Sequence, residues 1–469
     1  MNIASVIEQI NKENNCDIKP TYYTYIKKWT DWWRGFYKPF HQYYELNGNK
    51  KVKRKLYTLK MAKKVCEDWA SILMNEKTQI TVDDEQSNEF VINILNSNNF
   101  EHEANALIEK AFATGTGAFV VKTDNMIMTD DNVILQSEDS TIRIEYLPAY
   151  NIIPITIKHG KIIDIAFVSE ILDKGKKNIY VETHFLKNNG YEITNKYYKE
   201  EEGELKEEPL PEGILPSYST GTNVPMFSVF SPNIVNNVDD TAGLGISVFA
   251  NALDVLCGVD LAYNNFNRDF KLGGKKVFYN KSLIIRDENG NSITPDDIAQ
   301  QLFTQLGDGD LDDTKQLIQE FNPTLRVNEN VEGIQAQLDY LSFKCGFGAK
   351  YYQFNNGTIV TATQYMGDRQ DMIDSINKHC IAVKQALQNI VRAILWIGHN
   401  VVGANVNADA NILVMFDDSY IIDKEAERDR DRQDVSMGVM SLVEYRAKWY
   451  GETTKEAEKK LPEQANIIE

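Results

Sequence analysis

Residues 244–272 read LGISVFANALDVLCGVDLAYNNFNRDFKL and are followed directly by Gly273 and Gly274. Apolar side chains recur in this stretch at steps of three and four residues, at Phe249, Leu253, Leu256, Val259, Ala262, Phe266 and Phe270. That spacing is typical of one face of an α-helix. The stretch therefore predicts a helix about 40 Å long, which the glycine pair ends.

The longest helix that the sequence predicts covers residues 362–397. Thr361 and Gln364 fit a capping box, in which the N-cap hydroxyl and the side chain at the third helical position satisfy free backbone donors. The apolar positions then step by four and three, at Ile376, Cys380, Val383, Leu387, Ile390, Ile394 and Ile397. This heptad-like seam predicts a helix about 54 Å long that ends at Gly398.

A third helix and a polar loop lie between these two helices. The helix is predicted over 332–345, with one apolar stripe formed by Ile334, Leu338, Leu341 and Cys345. The loop that follows, residues 346–364, reads GFGAKYYQFNNGTIVTATQ. A tight turn would be enough to join two helices, so a polar, glycine-rich loop at this place is a candidate functional segment. Residues 275–330 predict short strands, turns and a helix around DDIAQQLFTQL (296–306).

The first half of the chain predicts a β-rich module that also contains helices. Helices are predicted over 57–75, 88–95 and 100–113, and strands between 118 and 186. The acidic segment 199–213 predicts a solvated loop or hairpin tip. Residues 411–416 predict a strand, and 423–461 predict two or three short polar helices. The fold class is thus α+β and mainly helical.

Two stretches near the N-terminus have alternative interpretations. Aromatic residues recur at helical spacing over 18–44, at Trp29, Trp32 or Trp33, Phe36 and Phe40. This stripe could stack on bases, but a packing face is expected. The basic run NGNKKVKRKL (47–56) could touch phosphate, but a solvated loop is expected.

Composition limits the classes of function. The chain has 469 residues and a formal net charge of −18, and its length predicts roughly two to four domains. Tight nucleic-acid binding usually needs a basic face, which the overall charge disfavours. The five cysteines are widely spaced, which disfavours a disulfide framework or a zinc site and favours a reducing compartment. Neither a signal peptide nor a membrane span is expected.

Fragments of catalytic and metal-binding motifs occur, but none is complete. Residues 114–117, TGTG, lack the rest of a phosphate-binding loop, and a strand-entry turn is expected. Asp308, Asp310 and Asp312 alternate as in a calcium loop, but Asp313 stands where that loop needs glycine. The six histidines do not have metal-ligand spacing, and His379 and Cys380 would point in different directions on a helix. We therefore expect no enzymatic activity, no cofactor and no metal.

Several separate blocks of sequence, in order along the chain, resemble portal proteins of tailed double-stranded DNA phages, especially phages of Gram-positive hosts. The blocks are VCEDWASILMNEK (65–77), LIEKAFATGTGAFVVK (107–122), LGISVFANALDVLCGVDLAYNNFNRDF (244–270), GTIVTATQY (357–365) and FDDSYIIDKEAERDRDRQDVSMGVMSLVEYRAKWYGETTKEAE (416–458). The resemblance extends from about residue 25 to 460.

The resemblance implies a ring of about twelve subunits around a central channel at one capsid vertex, assembled in the host cytoplasm. Residues 1–45 would form an N-terminal aromatic-rich segment, and 46–242 with 362–420 the wing. Residues 243–272 and 332–345 would be stem helices, 273–331 the clip, 346–361 the tunnel loop and 421–469 the crown. The clip, with Asp308, Asp310 and Asp312, would dock the terminase large subunit and later the head–tail adaptor. Major capsid and scaffolding proteins would be further partners.

The resemblance also implies a role for the loop. A tunnel loop faces water or passing DNA, which explains a polar and bendable sequence. The candidate DNA-channel residues are Lys350, Tyr351, Tyr352, Gln353, Asn355, Asn356, Gly357 and Thr358. Lys350 and the two asparagines can contact phosphates without reading sequence. Another ring-forming connector or scaffold is the main alternative, and an enzyme acting on nucleic acid is a further one.

Overall fold

The computed structural model describes residues 2–47, 50–128, 134–173, 175–201, 204–211, 213–239, 241–280, 288–289, 303–306, 318–353, 370–416, 424–450 and 454–461. These residues form an α+β fold, as the sequence predicts.

Six helices and three short strands open the chain. They are α1 (Ile3–Asn14), α2 (Tyr22–Trp33), α3 (Lys38–His41), β1 (Gln42–Asn47), β2 (Lys50–Lys55), α4 (Met61–Leu73), β3 (Gln79–Val82), α5 (Glu85–Ser97) and α6 (Phe100–Thr114). Trp29 and Trp32 are almost fully buried, so the prediction of an aromatic packing face is confirmed.

The prediction of a loop over 47–56 is wrong, because β1 and β2 form an antiparallel hairpin there. A two-stranded ladder tolerates a basic strand as long as alternate side chains reach water. In β2 the lysines are exposed, and the half-buried positions between them are Val52 and Arg54.

Antiparallel sheets follow the first helices. Their strands are β4 (Gly117–Asp124), β5 (Ile127–Met128), β6 (Ile134–Leu135), β7 (Thr141–Pro148), β8 (Ile152–Lys158), β9 (Lys161–Asp173), β10 (Lys176–Lys187), β11 (Gly190–Glu201), β12 (Glu204–Glu208), β13 (Ser217–Ser219) and β14 (Phe227–Phe230). The larger sheet has the order β12-β11-β10-β9-β8, with β13 also paired to β11, and β4 lies between β14 and β7 in a second sheet. The prediction of a hairpin tip in the acidic segment is confirmed by the β11–β12 pair.

The helix predicted over 244–272 is shorter, because α7 covers only Leu253–Leu272. Ala250–Ala252 form a short 3-10 helix before it, and the backbone from Gly245 to Val248 bonds to distant partners. The Gly245 N–H donates to Oγ1 of Thr116, and the Val248 N–H donates to the Phe112 carbonyl. These contacts lie more than 100 residues away in sequence, so the local periodicity could not reveal them.

After α7 the chain forms a small three-stranded sheet and a second helix. The sheet places β15 (Lys276–Asn280) between β16 (Phe303–Leu306) and β17 (Ile318–Phe321). The helix predicted around 296–306 is wrong over the described part of that stretch, because β16 pairs in parallel with β15. Helix α8 (Val327–Lys344) begins five residues before its predicted start at 332.

Helix α9 (Gln370–Ile397) runs through the core and contacts α4, α5, β4, β14 and β18 (Ile412–Met415). The capping box at Thr361 and Gln364 lies outside the described residues. The predicted end at Gly398 is instead the start of a π-helical turn, Gly398–Val402. Among the described residues, Gln370–Val402 is also the one helix whose length and apolar composition would suit a membrane span. Its packing identifies it as a core helix, since Val383, Leu387, Ile390 and Ile394 are almost fully buried.

Three polar helices end the described chain, as predicted: α10 (Lys424–Ser436), α11 (Leu442–Tyr450) and α12 (Thr454–Lys459).

Candidate channel loop and the helices that carry it

Helices α7 and α8 pack against each other and carry the candidate loop at the end of α8. A Cβ added to Gly258 would lie 2.4 Å from Oε1 of Gln337, so the two helices approach closely at this point. Farther along α7, Asp269 accepts hydrogen bonds from Arg326 and Asn330 at 2.9 Å. Hydrogen bonds from Asn330 and then from Arg326 lower the pKa of Asp269.

The described part of the loop begins with a turn stabilised by α8. Gly346 has a φ of +87°, a conformation that glycine adopts without strain. The Phe347 N–H donates to the Ser342 carbonyl at 3.0 Å. The chain therefore leaves α8 through a defined C-terminal cap.

Four aromatic rings anchor the turn to the core. Trp69 of α4 stacks on Phe347 at 4.6 Å between ring centroids, and Phe347 stacks on Tyr351 at 4.4 Å. Tyr351 contacts Tyr352 edge to face at 4.9 Å. The Trp69 indole N–H also donates to the Cys345 carbonyl at 3.1 Å. Aromatic pairs of this kind add stability beyond the area they bury, so this part of the loop is fixed to the body of the chain.

Among the predicted channel residues that the structure describes, Tyr352 is the most buried and is only 9% exposed. The side-chain amide of Gln335 donates to the Tyr352 carbonyl at 2.8 Å. Burial, and then the neighbouring Asp68 carboxylate, raise the pKa of the Tyr352 hydroxyl. Within this chain Tyr352 is therefore a packing residue.

The other predicted channel residues have different surroundings. Lys350 and Gln353 are exposed and Tyr351 is half-buried. Lys350 has a φ of +64°, which is uncommon for a residue with a side chain. Asn355, Asn356, Gly357 and Thr358 lie outside the described residues, and so do Asp308, Asp310 and Asp312 of the predicted clip. Contact of any of these residues with DNA or a docking partner stays a prediction.

His379 of α9 joins the same core from the opposite side. Its ring lies edge-on to Trp69 at 4.7 Å and to Phe112 at 5.0 Å. Its Nδ1 accepts the backbone N–H of Asn233 at 3.0 Å, so the ring is neutral at this nitrogen. Burial, with a smaller effect from Lys378, lowers the pKa of His379 to about 3. His379 is thus a structural side chain, not one half of a catalytic pair with Cys380.

The TGTG stretch is a strand-entry turn, as predicted. Gly115 ends α6 with a φ of +94°, and β4 begins at Gly117. A Cβ added to Gly115 would lie 2.2 Å from the Gly245 carbonyl oxygen. The turn therefore packs directly on the segment that leads into α7.

One buried cluster of charges lies in the sheets. The Lys122 ammonium is 2.7 Å from Glu182 and 3.0 Å from Glu145, and Glu182 lies 2.7 Å from Nε2 of His184. Burial alone would lower the pKa of Lys122, but the two carboxylates outweigh it and raise that pKa. Burial alone would raise the pKa of Glu182, but Lys122 and His184 hold it well below its usual range. Since these charges pair with one another, the cluster stabilises the junction of the sheets.

The remaining side chains that could bind a metal or react are histidines, cysteines and carboxylates. Within the described ranges, no three His, Cys, Asp or Glu side chains are grouped as metal ligands. The five cysteines are free, and burial raises the pKa of Cys345 to about 12.

Comparison with protein families decides the class of protein. The family model of phage portal proteins, described as SPP1 Gp6-like, matches residues 14–469. The chain belongs to the phage portal protein family. This family is structural, not enzymatic, and a portal is a component of the phage virion at a capsid vertex. The resemblance found in the sequence is thus confirmed over nearly the whole chain. No curated protein matches it.

Sequence reasoning missed the residues that fix the start of the portal's candidate loop. Trp69 lies 276 residues from Cys345 in sequence, and His379 lies 34 residues from it. No local pattern therefore links Trp69 or His379 to the end of α8, where Cys345 belongs to the apolar stripe. The available signal was the group of bulky aromatics, Phe347, Tyr351, Tyr352 and Phe354, in a loop that is otherwise mostly polar or glycine.

Proposed function

We propose that this portal protein assembles into a ring of about twelve copies whose central channel conducts double-stranded DNA into and out of the capsid. The observation that carries the proposal is the family match over residues 14–469. The α7–α8 pair supports it, because its outer surface keeps apolar side chains exposed, including Phe270 and Phe343. Exposed apolar side chains on packed helices suit subunit contacts.

In this proposal α7 and α8 are the stem. The segment between them is the clip, which docks the terminase large subunit during packaging and the head–tail adaptor afterwards. The sheets that precede α7, with α9 and β18, belong to the wing, and α10 to α12 belong to the crown. Major capsid and scaffolding proteins surround the ring at the vertex, and ATP hydrolysis belongs to the terminase.

The candidate loop is proposed as the part of the channel wall that DNA approaches. The aromatic anchor holds residues 346–353, and Lys350 presents a cation to solvent. The chain carries a net charge of −18, so a ring of copies lines its channel with negative potential that repels DNA from the wall. A single lysine per copy then gives a weak contact that is independent of base sequence.

The mass of the purified native assembly, with negative-stain images of the same sample, tests this function. We expect rings with a central hole and a mass near twelve subunits. If the chain purified alone remains a monomer or dimer, the same measurement is made after co-expression with scaffolding and capsid proteins. A monomer or dimer that persists there across protein and salt concentration would contradict the proposal.

A further inference from the structure

The β1–β2 hairpin presents a basic face with an apolar centre. Tyr44 lies opposite Lys53, and Leu46 lies opposite Lys51. Tyr44 is 63% exposed and Leu46 is 72% exposed. The exposed side chains of Tyr44, Leu46, Lys51 and Lys53 are called the hairpin face. A two-stranded ribbon is only marginally stable alone, so a face this apolar suits a covered position.

The hairpin face points away from α7. Glu45, between Tyr44 and Leu46, belongs to the other side of the ribbon. Its carboxylate is 3.2 Å from Arg54 and 3.3 Å from Arg268 of α7. Because successive side chains alternate across a strand, the hairpin face is turned outward from the chain.

Helix α8 presents an acidic outward face. Ile334, Leu338 and Leu341 are buried against the rest of the chain. The opposite side of the helix is exposed, and its residues step by three, four, four and three: Glu329, Glu332, Ala336, Tyr340 and Phe343. These five residues are called the α8 outer stripe. Carboxylates occupy its N-terminal half and aromatic rings its C-terminal half.

The two surfaces lie at the same end of α7. Arg268 contacts Glu45 of the hairpin, and the next residue, Asp269, contacts Arg326 of the α8 segment. On one side of α7, Arg268 contacts the hairpin, and Asp260 and Asn264 accept the backbone N–H groups of Leu59 and Tyr57, just after the hairpin. The α8 side of the helix carries Gly258 and Asp269. These two sides are roughly 130° apart around the helix axis. The hairpin and the N-terminal part of α8 therefore both lie beside the C-terminal half of α7, on two different flanks of the chain.

We infer that the hairpin face of one copy docks on the α8 outer stripe of the next copy in the ring. The inference rests on the proposed ring and names one of its contacts. Two different surfaces on two flanks make a head-to-tail contact, which closes into a ring when the rotation between copies fits. Lys51 and Lys53 of one copy lie against Glu329 and Glu332 of the next, around Leu46 and Tyr44. An apolar centre with a charged rim is the usual anatomy of such an interface.

Two features favour a second copy over nucleic acid as the occupant. Contact with a phosphate backbone needs cations but no apolar side chains, whereas Leu46 and Tyr44 lie among the lysines. The outer stripe also supplies complementary carboxylates beside the same half of α7, and each copy carries both surfaces.

A charge-reversal series tests the docking contact. Lys51→Glu with Lys53→Glu places four carboxylates together, which should raise the protein concentration for half-assembly roughly 100-fold. Glu329→Lys with Glu332→Lys should have a similar effect. The combination of all four substitutions should restore assembly. The matched control is Lys158→Glu with Lys161→Glu at the exposed β8–β9 turn, which makes the same change in net charge and should leave assembly unchanged.

The readouts are native mass and ring counts in negative-stain images. If the wild-type chain forms rings and the Lys51→Glu, Lys53→Glu variant forms them equally well, the docking contact is wrong and the proposed function stands. A ring defect in the control as large as that in the variant, or no rescue in the four-fold variant, would also overturn the contact. A wild-type chain that forms no rings even when co-expressed with scaffolding and capsid proteins would overturn both proposals.

Cross-linking checks the direction of the contact. A chain with both Leu46→Cys and Glu332→Cys should give, on oxidation, a ladder of covalent species that extends to the whole ring. Either single substitution should give none. A dimer from one single variant would show a two-fold contact and would overturn the head-to-tail arrangement.

Discussion

Trp69 and Phe347 stack with their ring centroids 4.6 Å apart and their planes 22° from parallel. Trp69 belongs to a core helix, and Phe347 belongs to the turn that leaves α8. This pair therefore ties the portal's candidate channel loop to the rigid part of the chain, and the exposed Lys350 lies only three residues beyond it.

Replacement of Phe347 should loosen the loop. Phe347→Ala removes a side chain that is 2% exposed and should lower the free energy of unfolding by about 3–5 kcal/mol. Hydrogen exchange of the amides in 346–353 should become faster. Tyr57→Ala, at a ring that is 51% exposed, is the control and should change stability by about 0.5 kcal/mol or less. Equal effects at the two positions would contradict the anchor.

The charge of Lys350 can be separated from its backbone conformation. Lys350→Ala should reduce the DNA packaged per capsid, and Lys350→Arg should preserve it, because only the arginine variant keeps a cation. Lys350→Gly removes the charge but suits the φ of +64°, so it should be as defective as Lys350→Ala. Normal packaging by the glycine variant would show that backbone strain, not charge, causes the alanine defect. Normal packaging by Lys350→Ala combined with Asn355→Ala and Asn356→Ala would contradict DNA contact by this loop.

Acid should destabilise the portal through His379. The folded-state pKa is about 3, whereas an unfolded histidine has a pKa of about 6.5. Because the pKa is lower in the folded state, the unfolded state binds the proton first as the pH falls. The stability that neutral His379 contributes is therefore complete above pH 6.5 and is lost as the pH falls towards 3. At pH 5 the loss should be about 2 kcal/mol. Urea unfolding at pH 7 and pH 5 measures it, and His379→Gln should remove this part of the difference. His102→Gln, at an exposed histidine, should not; if both variants behave alike, the assignment to His379 fails.

Lys122 should be more important to stability than a surface lysine. Lys122→Met leaves the buried Glu182 without its cation and should lower the free energy of unfolding by roughly 3–5 kcal/mol. Adding Glu182→Gln should recover part of this loss, because the uncompensated charge is then gone. Chemical denaturation of the single and double variants measures both effects. A double variant that is less stable than Lys122→Met would contradict the pairing.

Alanine substitutions at Gly115 and Gly160 distinguish the cost of a steric clash from the cost of backbone strain. Both have positive φ, at +94° and +73°, but a Cβ on Gly115 would lie 2.2 Å from a backbone oxygen, whereas Gly160 has nothing within 4 Å. Gly160→Ala should cost about 1 kcal/mol from conformation alone. Gly115→Ala should cost several times more, because the turn and the segment before α7 must move apart. Thermal unfolding compares the two, and equal costs would contradict close packing at Gly115.

The sequence by itself determined the class of protein and the main elements. Ordered blocks along the chain identified the portal family, since several matches in one order are more specific than any single motif. Helical periodicity predicted α4, α6 and α9, and alternation predicted the strands from 117 to 187. Periodicity succeeds in these elements because each one buries a face along its own length.

Tertiary structure alone decided which segments depart from their local pattern. Residues 244–252 repeat like a helix, yet Gly245 and Val248 donate their N–H groups to residues near 112 and 116. Residues 50–55 look like a solvated loop, yet they pair with β1. Tyr352 looks like a channel residue, yet its ring packs on Phe347 and Tyr351. In the first case the partners lie more than 100 residues away in sequence. In the other two they are close in sequence, but strand pairing and ring packing form only in the folded chain, and the spacing of apolar residues does not reveal them.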